Sequence, residues 1–526
     1  MAVPHAASLA DVYPQSATLA QAPRWNSLLQ AFSSAYSHPA TFIARSPGRV
    51  NIIGEHIDYS LYSVLPMAIT ADAILAVSSS EASSDSFKVK IANLQPEKFA
   101  SKEFTVSQKG EVEINAKEFE WTNYFKSGLK GAMALLRQKK GQDFKFKDMN
   151  VLMDGTVPVG GGLSSSAAFV SASALAVLVA NGEDSVDKTE LTELAIVSER
   201  SVGVNSGGMD QSASVLSEKG SALHVSFAPR LSARPIAFPP TSPELTFLIA
   251  QSFVTSNKHV TGPIHYNLRV VEVSLAAAYL HAVLNPPGSP PLPEDAGPLG
   301  ISLHGFHEAY FFHNNKDSDN SAGKSLTQEQ ELEKLISITT ETLTKEEGYT
   351  REEIASVLNI SVPELEKRFM STFPVRADTF KLRQRALHVY TEALRVLQFL
   401  SLLSSSTSNE SSGTDTTPLN TALGSLMNQT QTSCRDLYEC SCSELDRICE
   451  ISKAAGAYAA RLTGAGWGGC TVHLVPADKV DDVKAALEKE YYSTLELTEE
   501  QRAEAVVVSR PATGAAIYKV EGGQVR

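Results

Sequence analysis

Pro158-Val-Gly-Gly-Gly-Leu-Ser-Ser-Ser-Ala-Ala168 decides how this 526-residue chain is read. Three glycines permit tight backbone and close approach of a ligand. The serines then lead into an apolar run rich in alanine, so the stretch reads as a loop feeding a helix N-terminus. Unpaired N–H groups and the helix dipole make such a terminus an anion site, and serine hydroxyls can reach phosphate oxygens or Mg²⁺. The plainer alternative is a flexible turn capped by serine. A Walker A string, GxxxxGK[ST], does not occur, and neither does the HRD and DFG set of protein kinases. Gly464-Ala-Gly-Trp-Gly-Gly469 matches GxGxxG, but the dinucleotide fingerprint needs a helix next. Here CTVHLV (470–475) alternates like a strand. The glycines therefore suit a backbone wall of a site, with a plain turn as the alternative.

Two further segments carry chemistry. Arg45-Ser-Pro-Gly-Arg-Val-Asn-Ile-Ile-Gly-Glu-His-Ile-Asp-Tyr59 crowds Arg49, Glu55, His56 and Asp58 around Gly48 and Gly54. Donors and acceptors packed this densely suit a polyhydroxylated ligand, whose hydroxyls each need a partner. A metal site from Glu55, His56 and Asp58 matches no common spacing, and a solvated charged loop is the bland reading. Gly203-Val-Asn-Ser-Gly-Gly-Met-Asp-Gln211 presents Asp210 after a glycine pair, as a general base in a cleft would be presented. Alone this is weak, because Asp after Gly is usually a turn. His304 to Glu308 orders its residues unlike either zincin motif and is set aside as loop histidines.

Outward from these motifs, 71–80 and Leu245–Ala250 read as strands, while 188–201, 265–284 and 376–403 carry apolar residues at helical spacing. No regular βαβ rhythm links them, so the fold class is α+β. Segments 285–298, 314–325 and 404–418 are Pro/Gly-rich or polar and read as surface insertions. The boundaries drawn are a 1–24 extension, an N-terminal domain over 25–240 and a C-terminal domain over 241–526. Net charge is −13, which disfavours nucleic acid and anionic membrane as partners. Five cysteines, none in CxxC spacing, read as free thiols of a reducing compartment. No secretory signal is visible at the start, and the apolar stretch Ala167 to Ala180 is too short to span a bilayer. The expectation is a soluble, cytoplasmic protein.

Together the motifs resemble those of the galactokinases of fungal type, members of the GHMP small-molecule kinase superfamily. GRVNIIGEHIDY (48–59) is similar to the galactokinase signature, PVGGGLSSSAA to the superfamily phosphate loop, and LTGAGWGGC (462–470) to its third motif. The resemblance implies a two-domain α+β fold with the active site in the cleft between domains. It also implies ATP-dependent phosphorylation of galactose at C1, giving galactose 1-phosphate and ADP. By that likeness Arg49 and Asp210 are the catalytic pair, and Glu55, His56, Asp58, Gly207 and Tyr266 hold the sugar. Gly160, Gly162, Ser164, Ser165, Ser256, Asn257 and Lys258 contact ATP, and Ser166 and Glu199 hold Mg²⁺. The rival readings are an N-acetylgalactosamine kinase and a galactose- and ATP-binding regulator that partners a transcriptional repressor. A monomer is expected.

Overall fold

The computed structural model describes residues 1–115, 118, 120–199, 201, 207–255, 261–285, 289–316, 326–407 and 415–520. Among them the first half of the chain builds one mixed sheet, in the order His5–Ala6, Ala516–Lys519, Phe42–Ile53, Leu65–Ser80, Asp148–Gly155, Ser86–Asn93, Lys102–Ser107. Neighbours run antiparallel except His5–Ala6 with Ala516–Lys519 and Ser86–Asn93 with Asp148–Gly155. Every residue of Phe42–Ile53 is buried, as expected of a central strand covered on both faces. Its pairing with Leu65–Ser80 slips between Pro47 and Arg49 and again between Asn51 and Ile53. Such irregularities re-aim side chains next to active sites, and here they bracket Arg49.

The second half forms an antiparallel sheet, Ala459–Thr463, Cys470–Pro476, Leu245–Gln251, Val506–Ser509, with helices against it. One hydrophobic core runs through both halves without a break, from Val50 and Ile52 to Phe399 and Leu462. The helix Tyr266–Leu284 is long and apolar enough to cross a membrane by length and composition. Its Val270, Val271, Leu275 and Leu280 are fully buried against neighbouring helices, so it is a core helix here.

Several boundaries differ from the sequence reading. Residues 1–24 are not an appendage. Tyr13 donates to Asp72 Oδ2 at 2.6 Å and Arg24 to Asp72 Oδ1 at 2.7 Å, both across to the first sheet. Arg45 closes the same buried cluster at 2.6 Å, so an ionised Asp72 satisfied by three donors ties the start of the chain down. The C-terminal strand Ala516–Lys519 returns to the first sheet, so the second domain does not keep its own tail. The helix expected over 376–403 begins at Leu382, because Phe380 pairs its backbone with Tyr349. His304 and His307 are not loop histidines but open the helix Leu303–Lys316, where His307 meets Tyr62 at 3.0 Å and Glu331 at 3.1 Å.

Two of the insertions are anchored at their edges. In 285–298, of which 286–288 lie outside the described residues, Pro290 O accepts from His281 and Leu292 is buried, so this stretch packs down beyond its edge. The segment 314–325 lies outside the described residues from 317 onward. In 404–418 the helix Leu382–Thr407 runs in from one side, and Thr416 exchanges backbone and side-chain hydrogen bonds with Ser242 on the other. Residues 408–414 lie outside the described set. Excising 408–414 with a short Gly/Ser linker should leave turnover and the melting midpoint unchanged, since loop closure costs only ~0.6 kcal/mol per doubling of length. Extending the cut through Thr416 should lower the midpoint by a few degrees, because it removes the contacts to Ser242; thermal melts of both deletions check this.

Candidate active site

The phosphate-loop stretch ends in the helix Ser165–Ala180, buried on all sides because small Ala and Ser residues let its neighbours approach. Gly160 and Gly162 adopt positive φ of 74° and 73°, and Ser164 sits at the N-cap with φ 61°. Ser164 Oγ is buried and hydrogen-bonds to no described residue. A buried hydroxyl left open at a helix N-terminus, beside glycines, fits a phosphate oxygen. The 464–469 glycine run lies directly on this loop: a Cβ at Gly464, held at φ 84°, would strike the Gly162 carbonyl. The stretch is thus a backbone wall, and the strand Cys470–Pro476 follows it as expected.

Arg49 joins the loop to the rest of the site. Its backbone N–H donates to Leu163 O at 3.0 Å and its Nη1 to Gly162 O at 2.7 Å. Its Nε and Nη2 reach Asp210 Oδ1 at 2.8 and 2.7 Å. Asp210 stands in the first turn of the helix Met209–Leu216. Its side chain is 22% exposed, and Oδ2 makes no hydrogen bond among the described residues. One carboxylate oxygen is therefore clamped and the other is offered to the cleft.

Asp58 lies beside it. Burial, and next the Asp210 charge, push the Asp58 carboxyl up to about 6. A Cβ on Gly207 would come within 2.5 Å of Asp58 Oδ2, so this position needs glycine for the two segments to meet. Tyr266 opens the helix Tyr266–Leu284 half-buried against His56 and Tyr59, with ring centroids 5.8 and 5.6 Å away. Burial together with Asp58 and Asp210 pushes its hydroxyl well above the usual range, so it stays a donor.

Glu55 and His56 are less open than a sugar-holding role implies. Glu55 Oε2 accepts from Arg461 at 2.7 Å and from Gly464 N at 3.1 Å. Both His56 ring nitrogens are engaged, Nε2 with Ala465 O and Nδ1 with Tyr59 OH, each at 2.9 Å. That leaves Glu55 Oε1 as the one polar atom of the pair without a described partner, and His56 as wall. Sequence reasoning missed what holds this turn. Glu392 accepts from the N–H groups of Gly54 at 2.7 Å and Glu55 at 3.1 Å, and Arg461 donates to Asn51 O and Ile52 O. Tyr59, Tyr438 and Trp467 complete the aromatic wall around His56.

Ser166 lies in the first turn of its helix, and Glu199 is buried at the end of Lys188–Glu199, accepting from Gln211. No cluster of three or more His, Cys, Asp or Glu residues suited to a metal occurs among the described residues. Mg²⁺ carried on nucleotide phosphates needs only one or two protein oxygens, and the hydroxyl of Ser166 with the buried carboxylate of Glu199 is a donor set of that kind. Ser256, Asn257 and Lys258 lie outside the described residues.

Family models match along the chain in the same order as the site's parts. The galactokinase galactose-binding signature covers 30–79, the GHMP kinases N terminal domain 123–218 and the GHMP kinases C terminal model 419–493. A galactokinase of Candida parapsilosis is 42% identical over 501 residues, 95% of each chain. The chain belongs to the galactokinase family. Galactokinases of Saccharomyces cerevisiae and Dictyostelium discoideum are 41% and 39% identical, covering 94% and 92% of this chain and 94% and 91% of their own. The crystal structure of Lactococcus lactis galactokinase complexed with galactose shares the fold at a TM-score of 0.62 and 22% identity. It covers 94% of this chain and 99% of that one. Membership of this family makes the chain an ATP-dependent sugar kinase.

Proposed function

We propose that the cleft transfers the γ-phosphoryl group of ATP to the C1 hydroxyl of galactose, with Asp210 as the proton acceptor and Arg49 as its electrostatic partner. The observation that carries this is the Arg49 guanidinium, which touches the phosphate loop through Gly162 and the candidate base through Asp210 Oδ1. A planar cation so placed can stabilise charge on both partners at once. Phosphoryl transfer asks mostly for positioning and charge stabilisation. Asp58, Tyr266 and Glu55 Oε1 are the groups that face the cleft to fix the sugar hydroxyls, and Asp210 Oδ2, which has no partner among the described residues, receives the C1 proton. Gly160, Gly162, Ser164 and Ser165 cradle the ATP phosphates. Ser166 and Glu199 would hold Mg²⁺, which would supply neutralisation of phosphate charge. Ser256, Asn257 and Lys258 complete the nucleotide contacts in this reading.

ADP release by the purified chain with ATP and galactose, beside the same assay with N-acetylgalactosamine, tests the reading. Galactose should be the better substrate, and turnover confined to N-acetylgalactosamine overturns it. Ser166→Ala should raise the Michaelis constant for Mg²⁺-ATP by roughly three- to ten-fold, the worth of one hydrogen bond. Galactose affinity, measured by calorimetry, should stay within two-fold.

A further inference from the structure

Three residues other than glycine hold left-handed backbone and meet at the sugar side of the cleft: His56 at φ 60°, Glu439 at φ 52° and Trp467 at φ 53°. They come from three distant segments. Backbone strain of this kind persists only where surrounding structure over-determines it, and it gathers at functional sites. Trp467 donates its indole N–H to Glu439 O at 2.9 Å and its backbone N–H to Cys440 O at 2.7 Å. The ring preceding Glu439, Tyr438, packs 4.9 Å from His56 and bonds Tyr59 OH at 2.6 Å. The turn at 437–440 thus supports two of the aromatic walls around His56.

What holds that turn is a charge cluster behind it. Arg269, one turn along the helix from Tyr266, donates to Tyr438 O at 2.6 Å and Glu439 O at 3.2 Å. Arg385 donates to Leu437 O and, at 2.8 Å, to Glu439 Oε2, while Lys381 pairs with Glu439 Oε1. Glu272 anchors the far side, accepting from Arg385 Nε at 2.7 Å and Arg269 Nη1 at 3.3 Å. Burial works against its charge, yet Lys381 and Arg385 hold the Glu439 carboxyl down at about 2, so it is ionised throughout the working range. Among the described residues none of the cluster's hydrogen bonds goes to the phosphate loop itself.

We propose that Glu439 is a positioning residue for the sugar, its carboxylate locking Arg385 and Lys381 so that Tyr438 and Trp467 hold His56, and through it Tyr266, in the shape that receives galactose. This rests on the galactose-kinase reading above. It assigns Glu439 to one substrate and not the other.

The test compares Glu439→Gln, Glu439→Gly and Arg385→Lys with the unsubstituted chain by steady-state kinetics and thermal melts. Glu439→Gln keeps the side chain and loses its charge. Glu439→Gly also frees the left-handed backbone. Each should raise the galactose Michaelis constant about ten-fold, the equivalent of ~1.4 kcal/mol of lost binding, with that for ATP within two-fold. A normal galactose constant in Glu439→Gly would show that backbone shape alone matters and would overturn the carboxylate's role. Equal rises for both substrates, tracking a lowered melting midpoint, would overturn it too, as the signature of a merely structural contact. Arg385→Lys keeps the cluster's charge but cannot fork between Leu437 O and Glu439. If the Glu439 variants fail to fold, an unchanged galactose constant in Arg385→Lys rejects the proposal and a selective rise supports it. Failure of the galactose-kinase reading shows separately, as an unsubstituted chain that does not turn over galactose.

Discussion

Asp210→Asn should lower kcat by ~10²–10⁴-fold, the usual contribution of a positioned general base, while galactose affinity stays within a few-fold. Asn preserves the shape and can still accept from Arg49 with its amide oxygen, as Asp210 Oδ1 does now at 2.7–2.8 Å. The amide nitrogen then stands where Oδ2 faces the cleft, and it cannot take up a proton at neutral pH. The loss therefore falls on turnover, not on ground-state binding. Single-turnover kinetics with galactose and ATP, beside calorimetry with galactose alone, separates the two. Turnover within ten-fold of the unsubstituted chain would remove Asp210 from its role, and a large loss of galactose affinity would show that it serves binding instead.

The local motifs were legible because their chemistry is local. Gly-Gly-Gly followed by Ser-Ser-Ser and an apolar run folds as a loop and helix through contacts within a few residues, and the structure places it so. The strand alternation of CTVHLV, the strand Cys470–Pro476, likewise sets 464–469 apart from a dinucleotide motif. What stayed hidden depends on pairing across great sequence separations. Nothing near Glu55 announces that Arg461, 406 positions on, takes one of its carboxylate oxygens, or that Glu392 caps the same turn from 337 positions away. Residue types alone made Glu55 and His56 look open, whereas pairing turned most of their polar atoms inward. The same limit explains the first 24 residues: Tyr13 and Arg24 show no periodic pattern, and their place is set by the buried Asp72 on another strand. His304 and His307 read as loop residues in the sequence because helical packing against Tyr62 and Glu331 is a tertiary fact.

Asp58→Ala should raise the galactose Michaelis constant by roughly ten- to a hundred-fold, since a hydrogen bond to a charged group is worth about 1.5–3 kcal/mol. The ATP constant should change less than two-fold, because a carboxylate repels phosphates and cannot be a direct contact of theirs. The pH dependence sharpens the test. Burial and the neighbouring Asp210 raise the Asp58 carboxyl from 3.8 to about 6 in the free protein. A raised folded value means that Asp58 contributes stability below 3.8 and loses it as pH rises through 6. At pH 7 the carboxylate is thus held against an unfavourable environment. Hydroxyl donors from a bound sugar relieve that cost, so binding favours ionisation. Galactose affinity should weaken as pH falls through about 6, and binding at pH 6 should release protons, visible as a dependence of the calorimetric heat on buffer ionisation enthalpy. In Asp58→Ala both the proton release and this slope should vanish, and the melting midpoint at pH 8 should not fall, because an unfavourably buried charge has gone. Normal galactose affinity in Asp58→Ala, with Mg²⁺-ATP function lost instead, would assign the Gly54–Tyr59 turn to the nucleotide and reverse the division of the cleft argued above.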